Sequence, residues 1–161
     1  MFNDDIQGTA SVVVAGLLAC GRVTKKKLSD EKFVFLGAGG AATGVAEMCV
    51  RQMMDEGLSH EQACARIWMI DIDGLITTNR KGLSERHKVF AKNMPDTKSL
   101  LEVVKAVKPG ALIGASTVSG AFTEEVLREM STINQRPIIF ALSNPTSKAE
   151  CTAEAAYRIS N

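Results

Sequence analysis

A chain of 161 residues with 45% hydrophobic and 23% charged residues has the size and composition of one soluble globular domain. A domain of this length buries roughly 70% of the surface its unfolded form exposes, so folding needs neither disulfides nor a structural metal. The 19 lysines and arginines stand against 18 acidic residues, which leaves no basic excess to hold nucleic acid or anionic lipid.

The start Met1-Phe2-Asn3-Asp4-Asp5 carries no signal or transit peptide and reads as a boundary inside a longer polypeptide. Asn3-Asp4-Asp5 is an N-cap signal for the stretch that follows. Adjacent carboxylates also suit a hard divalent cation, but two of them do not fill an octahedral shell. Residues 6–20 are apolar with several small side chains and predict a helix packed tightly on its neighbours. The run at 10–20, broken by Ser11 and Gly16, is too short to span a bilayer. Lys25-Lys26-Lys27 predicts a solvated turn.

Four short apolar, β-branched runs predict buried strands at Phe33–Leu36, 67–72, 111–115 and 137–142. Their unbroken apolar character fits parallel strands covered on both faces. Between them, 41–56 carries Val45, Met48, Cys49 and Met53 as one helical stripe. A short helix is expected at 61–66. Leu100, Val103, Val104 and Val107 repeat the helical pattern over 99–107, and Thr123-Glu124-Glu125 opens a helix to 130. Strands alternating with helices imply right-handed crossovers and an α/β, Rossmann-like doubly wound parallel sheet flanked by helices. The cysteines Cys20, Cys49, Cys64 and Cys151 have neither Cys-x-x-Cys nor zinc-finger spacing and read as buried thiols.

Gly37-Ala38-Gly39-Gly40-Ala41-Ala42 follows the first strand and opens a helix, the setting in which G-x-G-x-x-A binds a dinucleotide. Gly37 permits the turn, Gly39 lets the backbone approach a pyrophosphate, and Ala42 lets helix and strand pack closely. The pyrophosphate would sit on the helix N-terminus. The bland alternative is a tight strand-to-helix turn. Asp71, at the end of the second strand and 34 residues after Gly37, suits an adenosine ribose, although the usual interval is about 20. It also suits a simple turn before Asp73-Gly74. A lone carboxylate favours NAD, whereas Arg80, Lys81, Arg86, His87 and Lys88 in the following loop could neutralise the 2′-phosphate of NADP. Ala115-Ser116 and Ser143-Asn144-Pro145-Thr146 follow the third and fourth predicted strands, at the sheet edge where open α/β sheets bind ligands. Pro145 directs Asn144 toward extended backbone.

The blocks Phe2-Asn3-Asp4-Asp5-Ile6-Gln7-Gly8-Thr9-Ala10, Gly37–Ala42 as written above, and Phe140-Ala141-Leu142-Ser143-Asn144-Pro145-Thr146 with Ala149-Glu150-Cys151 resemble malic enzymes, of the animal type, over essentially the whole chain. The resemblance implies that 1–161 is the NAD(P)-binding domain of a longer enzyme. That enzyme would oxidatively decarboxylate L-malate to pyruvate and CO₂ with NAD(P)⁺ and Mg²⁺ or Mn²⁺. By the same resemblance Asp5 is a metal ligand and Asp4 pairs with the lysine that acts as general base. Asn144 contacts nicotinamide and malate; Gly37, Ala38, Gly39, Gly40 and Ala41 hold the pyrophosphate; Asp71 takes the ribose. Ala115 and Ser116 approach the nicotinamide, and Thr9 adds a cofactor contact. Oxidation of C2 to the ketone precedes loss of CO₂, with the divalent ion polarising the new carbonyl before an acid protonates the enolate.

Two departures from the family pattern matter. Gly40 stands where many relatives carry Glu, and His87, with Lys88 beside it, stands where NADP-dependent animal enzymes place a lysine. The segments 120–123 and 146–148 more closely resemble the NADP type, so NADP is the expected cofactor, with NAD the alternative. The base lysine, the acid tyrosine, an arginine for substrate and further metal ligands match nothing in this chain, so the isolated polypeptide is expected to bind dinucleotide weakly and not to turn over malate. A homo-oligomer is expected, in the cytoplasm or alternatively the mitochondrial matrix, with no nucleic-acid or membrane partner. The competing readings are another Rossmann dehydrogenase, an adenosylmethionine-dependent methyltransferase and a nucleotide-sensing domain. The methyltransferase reading does not account for Asn3-Asp4-Asp5 or for Ser143-Asn144-Pro145-Thr146.

Overall fold

The computed structural model describes residues 4–160, with side chains from residue 7 onward. Four parallel strands form the sheet: β1 (Phe33–Leu36), β2 (Ile67–Asp71), β4 (Ala111–Gly114) and β5 (Ile138–Ala141). A two-residue strand, β3 (Gly74–Leu75), runs antiparallel along the outer side of β2, giving the order β3-β2-β1-β4-β5. The chain leaves β2, crosses over β1 and re-enters at β4, so the strand order reverses between β1 and β4. Such a reversal opens a crevice at the carboxyl ends of the strands.

Register sets which loops meet there. Leu36 is level with Ile70 on one side and Gly114 on the other, and Gly114 is level with Ala141. The four loops that follow therefore emerge side by side.

The period-two alternation of the strands divides the core between two faces. Phe33, Phe35, Ile67, Met69 and Ile113 point to one side, where α1 (Asp4–Thr24), α2 (Gly40–Asp55) and α3 (His60–Cys64) cover them. Val34, Ile70 and Leu112 point to the other, under α5 (Leu100–Val107) and α6 (Glu124–Ile133). Along α2, Val45, Cys49 and Met53 are buried as the stripe requires, while Met48 is only half-buried. All four apolar residues of the α5 stripe are buried. The cap expected at Thr123 forms, its hydroxyl accepting from Val126 N–H, and Ser99, read from the pattern as the first helical residue, caps α5 in the same way by accepting from Glu102 N–H. Truncating a fully buried side chain such as Phe35 to alanine costs about 3–5 kcal/mol.

Four elements, β2, β3, α4 and α7, differ from expectation. β2 stops at Asp71 because the Asp73 N–H turns back onto the Asp71 carboxylate, leaving Ile72 92% exposed. β3 is too short to leave an alternating pattern; at its start Gly74 has φ +115° and the Thr97 carbonyl 2.5 Å from where a Cβ would stand. The four-residue α4 (Glu85–Lys88), capped by Ser84, and α7 (Ala153–Ser160) were not evident from periodicity.

Candidate cofactor cleft

The glycine turn lies at the strand reversal, and its geometry separates two glycines by task. Gly37 has φ +114°, and a Cβ there would stand 2.3 Å from the Ala115 carbonyl oxygen. Its N–H donates to Ile70 O at 2.7 Å, while Ala115 N–H donates to Leu36 O at 2.8 Å, so the first turn and the turn after β4 press together. Only glycine meets both conditions. Gly39 is different: its φ is −72°, and a Cβ would meet nothing within 4 Å. The space above it is open to a ligand. Gly39 caps α2 without a side chain, and Gly40 and Ala41 in the first turn are exposed. N–H groups of a first turn have no partner inside the helix, and the helix dipole adds positive potential there. An anion fits this position.

The turn is braced from below. Thr43 Oγ1 donates to Gly39 O at 2.9 Å, and the Nε2 of half-buried His87 lies 2.9 Å from Ala38 O. Because a carbonyl only accepts, Nε2 carries the proton in that bond. His87 thus reaches the pyrophosphate turn itself, whereas its expected role was in the 2′ loop. Lys88 is exposed and pairs with Glu85.

At the end of β2, Asp71 accepts a two-pronged bond from Arg80, 2.8 Å at each oxygen, and a third from Asp73 N–H at 2.9 Å. Partial burial pushes the carboxyl up, but the Arg80 guanidinium and the Asp73 N–H outweigh it and hold the group below the ordinary carboxylate range. Asp71 is ionised and oriented. Of the five basic residues that follow it, Arg80 is on Asp71, Arg86 grips Glu47 at 2.7 and 2.9 Å, Lys88 is on Glu85 and His87 is on Ala38, while Lys81 makes no ion pair among the described residues.

On the other side, Ser116 and Asn144 follow β4 and β5. Asn144 is exposed, and the Asn144–Pro145 peptide is cis. Between them lies a residue that periodicity and spacing gave no reason to single out. Glu150 is fully buried, and its Oε1 accepts from Ser116 N–H and Ser116 Oγ at 2.8 Å each and from Ser143 Oγ at 2.5 Å. Burial pushes this carboxyl up, and the Ser143 and Ser116 bonds pull it further down, below its usual value. The glutamate was visible in the sequence only as part of the third block.

Thr9 is exposed on α1. The N-cap expected at Asn3, the Asp4 side chain and the Asp5 side chain lie outside the described residues. The structure thus brings the Gly37–Ala41 stretch, Asp71, Ala115, Ser116 and Asn144 to one edge of the sheet. The cysteines are free thiols; Cys49 is buried, which pushes its thiol up to about 12.

Residues 6–161 match the family described as malic enzyme, NAD binding domain. The NAD-dependent mitochondrial malic enzyme of Ascaris suum is 69% identical over all of this chain, which covers 25% of that protein. The NADP-dependent mitochondrial malic enzyme of Homo sapiens is 56% identical over 99% of the chain, covering 26% of it. Among solved structures, the Entamoeba histolytica malic enzyme aligns with TM-score 0.75 and 28% identity over 98% of this chain and 31% of its own. An NAD-dependent malic enzyme from Thermotoga maritima aligns with TM-score 0.75 and 26% identity over 98% and 38%. The chain therefore spans about a quarter of the length of the curated relatives it matches.

Proposed function

The chain belongs to the malic enzyme family as its NAD-binding domain, and on that premise we propose that it is the cofactor half of an enzyme that converts L-malate to pyruvate and CO₂. The observation that carries this reading is the open backbone at Gly39 on the N-terminus of α2, directly beside the contact of Gly37 with Ala115. NAD(P) fits the residues present. Gly37, Ala38, Gly39, Gly40 and Ala41 receive the pyrophosphate, the ionised Asp71 accepts from the adenosine ribose, and Ala115, Ser116 and Asn144 flank the nicotinamide. When bound, NAD(P)⁺ supplies the hydride acceptor for C2 of malate. The chain's own task is to orient that acceptor: Asp71 and the turn fix the adenosine end, and the loops after β4 and β5 fix the reacting end. Thr9 is kept as a further contact on the resemblance.

NAD is the preferred cofactor in this reading, in place of the NADP expected from the sequence. A 2′-phosphate beside ionised Asp71 needs free basic groups, and four of the five basic side chains in the loop are already engaged. The NAD-dependent Ascaris relative, at 69% identity, supports the same choice. For the metal, no group of three or more His, Cys, Asp or Glu that could hold an ion is assembled among the described residues. Asp5 as a ligand of Mg²⁺ or Mn²⁺, and Asp4 as partner of the base lysine, rest on the resemblance, with the remaining ligands and the base supplied by the rest of the longer enzyme. The mitochondrial matrix is favoured over the cytoplasm because both relatives named above are mitochondrial enzymes. A homo-oligomer is proposed for the intact enzyme.

The test is an assay of the intact enzyme with L-malate, Mn²⁺ and each cofactor. Faster reduction of NAD⁺ than of NADP⁺ is expected. No malate-dependent reduction of either would overturn the reading, and a clear preference for NADP⁺ would overturn the cofactor choice alone.

A further inference from the structure

Glu150 occupies a position that its chemistry makes costly unless it is fully bonded. It is 0% exposed, yet its carboxylate is ionised. Ser116 N–H, Ser116 Oγ and Ser143 Oγ all converge on Oε1, and Ser143 N–H lies 3.4 Å from Oε2. Ser143 Oγ in turn accepts from Thr117 N–H at 2.8 Å. The backbone around Glu150 completes the tie: its carbonyl accepts from Phe122 N–H at 3.0 Å, and that of Ala149 from Gly120 N–H at 3.2 Å. Gly114, the last residue of β4, is cut to this arrangement. A Cβ there would stand 2.5 Å from the Glu150 carboxyl carbon.

One side chain therefore joins the loop after β4 to the loop after β5. Ser116 lies in the first loop, and Ser143 immediately precedes Asn144 in the second. These are the two loops assigned above to the nicotinamide end, while the pyrophosphate turn follows β1 and Asp71 ends β2; Gly37 packs on the Ala115 carbonyl, but the bonds of the Glu150 carboxylate go to Ser116 and Ser143 and not to that turn or to Asp71. We propose that Glu150 is a positioning residue that locks the Ser116 and Asn144 loops into a single unit and so sets the placement of the nicotinamide without touching it. The inference rests on the reading of the cleft given above. Its physical basis is that a small displacement of groups around a reacting centre, imposed from outside it, can lower rates by up to about a hundredfold.

A purely structural role and a positioning role differ in one ratio. In the intact protein, Glu150→Gln is expected to leave the affinity for ADP-ribose within about twofold, since the Glu150 carboxylate bonds Ser116 and Ser143 and neither the turn after β1 nor Asp71. Affinity for NADH and kcat with malate should both fall roughly tenfold or more. Ser143→Ala removes one bond and no charge, and should give the same pattern more weakly; it carries the test if Glu150→Gln does not fold. Equal losses of ADP-ribose and NADH affinity would overturn the proposal, and so would a wild-type ratio in both variants. Absence of malate turnover in the wild-type protein would remove the proposed reaction but leave the binding ratio as the test of Glu150.

Discussion

Arg80 grips Asp71 with two parallel bonds of 2.8 Å at the carboxyl end of β2, where the adenosine half of a dinucleotide is expected. The Asp73 N–H takes a further lone pair on Oδ1, so Oδ2 keeps the room to accept from a ribose hydroxyl. Replacing Asp71 with Asn removes the charge behind that bond. Charge-assisted bonds contribute about 1.5–3 kcal/mol, so affinities for NAD and for ADP-ribose should fall together by about tenfold or more. Calorimetric titration checks this; unchanged affinity for both would return Asp71 to a simple turn residue.

Gly37 and Gly39 should respond differently to the same substitution. Gly37→Ala places a Cβ 2.3 Å from Ala115 O at φ +114°. Backbone strain alone costs about 1–3 kcal/mol, and the clash adds to it. Gly39→Ala meets no atom and loses only the N-cap preference, on the order of 1 kcal/mol or less. Urea unfolding should therefore show a large loss for Gly37→Ala and a small one for Gly39→Ala, whereas cofactor binding should suffer in both.

Acid should attack the nicotinamide side of the cleft. The folded-state value of Glu150 lies below its ordinary one, so its contribution to stability is intact above the unfolded-state value of about 4.3 and is lost as pH falls through the folded-state value. Asp71 behaves in the same direction. The wild-type chain should thus lose stability progressively below about pH 4.5, and Glu150→Gln should show a shallower loss over that window. Parallel curves for the two proteins would contradict the assignment.

Thiol chemistry gives a separate check on the core. Cys49 is fully buried, with its thiol pushed up to about 12, while Cys20 and Cys151 are only partly covered. Iodoacetamide at mildly alkaline pH should modify Cys20 and Cys151 well before Cys49 under native conditions. In denaturant all should react at similar rates, which peptide mapping by mass spectrometry resolves.

Much of this architecture could be read from local pattern. The four parallel strands are continuous apolar runs, α5 carries a clean stripe from Leu100 to Val107, and Thr123 announces a helix start. β3 could not be read, because two residues hold no period and its antiparallel pairing depends on where Gly74 turns. α7 is amphipathic, but none of its residues is buried. Within the cleft, Gly37, Gly39 and Asp71 were legible because a strand–turn–helix context constrains them. The bond from His87 to Ala38 O spans 49 positions, and the Glu150 bond to Ser116 spans 34. Contacts of that separation leave no mark on local periodicity, so both roles emerged only once the chain was folded.

In the proposed function this domain receives a dinucleotide on the turn at Gly39. The most direct test is a calorimetric titration of the 161-residue chain with NAD, alongside Gly39→Val, where a branched side chain fills the open space. Saturable one-to-one binding by the wild-type chain is expected, with its loss in a variant that still folds. No saturable binding by the folded wild-type chain, or equal binding by Gly39→Val, would contradict it.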